Sequence, residues 1–177
     1  MSKTKKIALT GLLCALGVVF MMMGGMIPLA TFCCPALAGL VLIPGFVECG
    51  EKISWGAWFV ISVLSLLLSP DKESALLFCF IGYYPIVRWR LEQIRGVVWR
   101  ILSKLVIFNI AIGVMYALCI FVFRMDAILA EYKEAGIILT AVTLALGNVT
   151  LLLYDRLLKV GTALYVNKFR GKLLKQR

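Results

Sequence analysis

Lys3-Thr4-Lys5-Lys6-Ile7-Ala8-Leu9-Thr10-Gly11-Leu12-Leu13-Cys14-Ala15 opens a run that meets no charged residue until Glu48. From Lys6 to about Ala30 the run is long enough to cross a bilayer, which takes about 20 apolar residues. The lysines in front of it, Lys3, Lys5 and Lys6, predict a cytoplasmic start. At about 100° per residue, Ala8, Gly11 and Ala15 fall on one stripe of this helix, within about 60° of one another. A stripe of small residues lets a second helix approach closely, one of the ways helices associate in lipid.

The rest of the composition agrees with a membrane location. The 177 residues are 62% hydrophobic, with a mean hydropathy of +0.98. A soluble fold has too little interior to hide that much apolar surface, so residues 1–177 are read as a single polytopic membrane domain. The net charge of +10 invites nucleic acid as a partner. The charges, however, sit between apolar runs, which favours membrane lipid and no nucleic acid. The first run exceeds the 7–15 residues typical of a signal-peptide core and lacks a clear cleavage site, so it is expected to stay as a helix. The six cysteines (Cys14, Cys33, Cys34, Cys49, Cys79, Cys119) form no C-x-x-C, and histidine is absent. A zinc site is therefore not expected, and the cysteines read as small apolar fillers. The vicinal pair Cys33-Cys34 leaves a redox role as the alternative.

Taken in order, the chain predicts an all-α protein with six transmembrane helices and both termini cytoplasmic. After the first helix, Gly24, Gly25 and Pro28 mark an outer turn. Met21, Met22, Met23 and Met26 surround that turn and suggest a mobile apolar lid over Gly24 to Thr31, with flexible packing as the plainer reading. Further spans are expected over about 36–47, kinked at Pro44-Gly45, and over 53–68, 74–87, 105–123 and 135–154. Between the fourth and fifth lies a basic segment, residues 88–104. Arg88, Arg90, Arg95, Arg100 and Lys104 alternate there with Trp89, Trp99 and aliphatic residues. That pattern predicts a basic helix lying in the membrane interface. With this topology the outer segments hold Lys72, Arg124 and Lys133, and the other 16 of the 19 Lys/Arg face inward, the bias that sets orientation in membranes.

Material for catalysis is scarce. The nine carboxylates all map to span edges or loops, no G-x-x-x-x-G-K phosphate loop occurs, and no internal repeat is evident. No catalytic residue, metal or cofactor is expected, and the chain does not read as an enzyme. The remaining polar groups at span depth are uncharged. Thr31, Tyr83, Tyr84, Asn109, Tyr116 and Asn148 are the candidate substrate-binding residues. For the two asparagines, hydrogen bonding between helices is the competing reading.

Six spans, no ATP site, a small-residue stripe on the first helix and a glycine-rich outer connection after it together resemble the substrate-binding S components of energy-coupling factor (ECF) transporters. In that family an alanine pair four residues apart in the first helix docks on the partner. Here it maps onto Gly11 and Ala15, glycine replacing one alanine, with Ala8 on the same face. The resemblance implies a substrate-capturing subunit for uptake of a vitamin-like small molecule in a bacterial cytoplasmic membrane. Its partners would be a shared ECF transmembrane subunit and two ATPases. A non-enzymatic membrane scaffold or envelope-assembly protein is the alternative, docking through the basic segment and the basic tail.

Overall fold

The computed structural model describes residues 3–24, 31–121 and 126–170, with side chains described for 3–24, 31–118 and 141–167. The described residues are almost entirely helical and contain no strand. The elements are α1 (Lys3–Gly24), α2 (Cys33–Cys49), α3 (Glu51–Leu68), α4 (Lys72–Ile81), α5 (Tyr84–Leu91), α6 (Val97–Phe121) and α7 (Asp126–Leu164), the last continuing as a π-helical stretch, Tyr165–Arg170. Among the described residues four stretches are long and apolar enough to cross a membrane: Lys3–Gly24, Glu51–Leu68, Val97–Leu118 and Ala141–Asn167. By length and composition these are the helices of a membrane-spanning protein. α2 is apolar as well but shorter, at 17 residues.

Each boundary has a local cause. α2 and α3 are joined through Gly50 alone, whose φ of +90° lies where glycine avoids the clash that a Cβ creates. Its amide donates to Phe46 O at 3.1 Å, closing α2, and its carbonyl accepts from the Ser54 amide at 3.2 Å, opening α3. Pro44 lies inside α2, where its ring nitrogen has no hydrogen to donate. Asp71 caps α4 with Oδ1, accepting from the amides of Glu73 and Ser74 at 3.1 and 3.2 Å, the usual office of an N-cap carboxylate.

Three expectations from sequence take a different form. The fourth segment is not one continuous helix over 74–87. α4 ends at Ile81, Gly82 and Tyr83 form a turn, and α5 starts with Pro85 in its first turn, where a missing N–H costs least. The basic segment 88–104 is likewise not a single interfacial helix. α5 stops at Leu91, and Gly96, at φ +99°, separates it from α6. At the other end, the helix expected over 135–154 is longer: α7 runs 39 residues from Asp126, and its apolar stretch lies at Ala141–Asn167. No proline follows Pro85 to interrupt it, and its residues are mostly good helix formers.

The chain packs as two compact units, residues 1–93 with 156–177, and residues 94–155. In the first, α2 packs against α1, α3, α4 and α5. The core is Val18 and Met21 of α1, Ala38 and Leu42 of α2, Ala57 and Ile61 of α3, and Phe78 of α4. Close approach is set by small residues: a Cβ on Gly45 would stand 3.3 Å from Leu13 Cδ1, and one on Gly161 would stand 3.5 Å from Ile43 and Leu40. In the second unit α6 and α7 run antiparallel. Lys104 pairs with Asp155, and Asn109 with Asn148.

Candidate functional site

The C-terminal ends of α1 and α3 meet the N-terminal ends of α2 and α4 around a set of small polar side chains. Ser65 lies in the last turn of α3, Ser69 caps its C-terminal end, and Ser74 lies in the first turn of α4; all three are buried. The Ser69 hydroxyl is 3.3 Å from Met21 O and 3.1 Å from Asp71 O, tying the end of α3 to α1 and to the α4 cap. A Cβ on Gly24 would fall 3.0 Å from Cys34 Cβ and 3.4 Å from Ser74 Oγ, so glycine at that point lets α1 reach α2 and α4 together.

Within this cluster Ser65 Oγ and Ser74 Oγ are fully buried with no hydrogen-bond partner among the described residues. A buried hydroxyl left unmade costs about 1–3 kcal/mol. Each is able to donate and to accept. The Asp71 carboxylate is directed at the α4 amides, and Lys72 Nζ donates to Leu66 O at 2.8 Å on the surface. What faces the interior is hydroxyl, thiol and backbone. Such an arrangement puts hydrogen-bonding hydroxyls into an otherwise apolar interior. The sequence has no histidine, and among the described residues no side-chain base is hydrogen-bonded to Ser65 or Ser74 Oγ.

A second cluster sits toward the opposite end of α3. Trp55 stacks on Tyr83 at 6.0 Å between ring centres, and Trp58 stands edge-on to both, at 5.5 and 5.9 Å. Glu51 Oε1 accepts from Trp55 Nε1 at 3.4 Å and lies 2.7 Å from the Arg90 guanidinium. With the rings this close, the trio is a packed joint between α3 and the α4–α5 turn rather than an open cage.

The residues singled out by sequence are divided between the two units. Tyr83 joins the tryptophan cluster, and Tyr84 beside it is buried in the first unit. Thr31, half-buried, adjoins residues 25–30; the lid expected there lies largely outside the described residues. Asn109, Tyr116 and Asn148 belong to the second unit. There Asn109 Nδ2 donates to Asn148 Oδ1 at 2.8 Å, and each amide also donates to the carbonyl four residues back, Leu105 O and Leu144 O. Ser65, Ser69 and Ser74 were missed. The available signal was the spacing of Ser54, Ser62, Ser65 and Ser69, which holds them to one face of α3.

The docking stripe has a definite place. Ala8, Gly11 and Ala15 are all on the surface of α1, and a Cβ on Gly11 would meet nothing within 4 Å. The inward face of the same helix is carried by Gly17, Val18, Met21 and Gly24. The sequence matches no family model, and neither a curated protein nor a solved structure is detectably similar to it.

Proposed function

We propose that this chain is a substrate-capturing membrane subunit, similar in role to an S component of an ECF transporter. It takes up a vitamin-like small molecule, and partner subunits supply the ATP hydrolysis. The observation that carries this reading is the division of α1 into two faces. One face, Gly17 to Gly24, builds the core; the other, Ala8, Gly11 and Ala15, is small and uncovered. Lipid is served equally well by large side chains, as Ile7 and Leu12 beside the stripe illustrate. A close-packed helix of a partner needs small ones.

The buried hydroxyls of Ser65 and Ser74 supply the capture half of the reading. They lie at the end of α1 that leads into the glycine-rich connection, and a neutral ligand with hydrogen-bonding groups would satisfy them. The cargo is held without chemistry, and the protein reorients against its partner to release it. The host membrane on this reading is a bacterial cytoplasmic membrane with both termini inside. The scaffold reading rests on the surface residues of the basic stretch, Trp89, Arg90 and Trp99. It requires no small molecule.

The two are separated by native mass spectrometry of the detergent-purified protein. A stoichiometric small molecule, absent from a Ser65→Ala, Ser74→Ala variant of unchanged stability or better, is the result expected of a capture subunit. A ligand-free protein from every growth condition would favour the scaffold.

A further inference from the structure

Five cations lie between Arg88 and Lys104, and the fold treats them unequally. Arg88 pairs with Glu92, Arg90 with Glu51 and Lys104 with Asp155. Arg95 and Arg100 have no hydrogen-bonding or ion-pairing side chain opposite them among the described residues. No carboxylate lies between Gln93 and Asp126 in the sequence.

These two arginines bracket the most exposed apolar turn among the described residues of the second unit. Val97, Val98 and Trp99 are 61%, 77% and 67% exposed, and Ile101 and Leu102 continue the surface. Gly96 places this turn at the head of a helix: its carbonyl accepts from the Arg100 amide at 3.1 Å. Because glycine has no side chain, nothing at the cap position competes for the first amides of α6. The positive end of the helix dipole adds to the two guanidiniums. The same α6 runs on from Val97 as an apolar helix able to cross the membrane, so this turn stands at a bilayer boundary.

We infer that the head of α6, Arg95 to Leu102, is a docking surface for anionic phospholipid headgroups. Trp99 and the valines enter the interfacial layer, and Arg95 and Arg100 face the phosphates. Tryptophan favours that depth because its ring is apolar and its N–H is polar. Arginine suits phosphate because its fork of donors meets two oxygens at once. The three cations already neutralised by carboxylates contribute little to the selection. This inference is independent of what the protein carries.

The test uses the full chain reconstituted in phosphatidylcholine bilayers that contain either brominated phosphatidylglycerol or brominated phosphatidylcholine. Trp99 is read as the difference between wild type and Trp99→Phe. At equal mole fraction the brominated anionic lipid should quench Trp99 more strongly. The local enrichment should fall about fivefold for each of Arg95→Gln and Arg100→Gln, on the scale of one basic residue at an anionic surface. Arg90→Gln should leave it unchanged, and Arg95→Lys with Arg100→Lys should retain most of it. The inference is overturned if wild type shows no preference, if the Gln variants keep it, or if Arg90→Gln removes as much. It is also overturned if a photo-crosslinker at Val98 forms adducts in cells with protein and not with lipid.

Discussion

Lys104 Nζ lies 2.7 Å from Asp155 Oδ2, joining α6 to α7 with side chains only 5% and 18% exposed. Lys104 lies five residues before Asn109 on α6 and Asp155 seven residues after Asn148 on α7, so both contacts cross the same antiparallel seam.

Breaking the ion pair from one side strands a charge. Lys104→Met or Asp155→Leu alone should destabilise the protein by about 3–5 kcal/mol. The double replacement should cost far less, because neither charge is then left buried. Thermal denaturation in detergent distinguishes the cases; three equal losses would mean that the two side chains do not act as a pair.

The amide pair should behave as helix-to-helix glue. Asn109→Leu and Asn148→Leu should each weaken the seam by about 0.6 kcal/mol, up to ~1.7 kcal/mol. A double-mutant cycle on unfolding should show the second change costing less once the first is made. Strict additivity would return these residues to the ligand-contact role that their span depth first suggested.

Gly82 and Gly11 should respond oppositely to alanine. A Cβ on Gly82 would stand 2.5 Å from Phe78 O and 2.6 Å from the buried Phe78 ring. Gly82→Ala should cost about 1–3 kcal/mol, the range for overpacking. Gly11→Ala, with open space around it, should leave the melting temperature unchanged or slightly higher, since alanine is the better helix former.

The orphan hydroxyls carry a sign that separates binding from packing. Ser65→Ala and Ser74→Ala should raise the stability of the ligand-free protein, because a buried unsatisfied group is removed from each. The same changes should lower retention of the bound small molecule. Lower stability together with full retention would show that the serines are held by the helices and not by a ligand.

The helical, membrane-spanning character was legible because lipid demands long apolar runs, and Ile7 to Val47 carries no charge. Less so were the interruptions. Gly82-Tyr83-Tyr84-Pro85 stood inside an apolar stretch, and only the position of Pro85 decides where α4 yields to α5. The segment 88–104 alternates charge and apolar residues well enough to read as one helix. The backbone at Gly96, which divides it, leaves no mark on that periodicity. The site was the least legible part. Tyr83, Tyr84, Asn109 and Asn148 drew attention because large polar groups are rare at span depth. The buried cluster is instead made of serines, which look like ordinary small residues until the burial of Ser65 and Ser74 is known. Asp155, read as a span-edge carboxylate, proved to be the partner of Lys104.

The central claim is that the uncovered stripe of α1 grips an energising partner. It is tested most directly by affinity purification of the tagged full chain from its own host membranes, beside a Gly11→Leu, Ala15→Leu variant. Open space around Gly11 means that the variant should fold as well as wild type, which its melting temperature checks. Wild type should bring down a membrane subunit and ATPase subunits, and the variant should lose them. Recovery of the same ATPase subunits with both proteins, or with neither, would contradict the account.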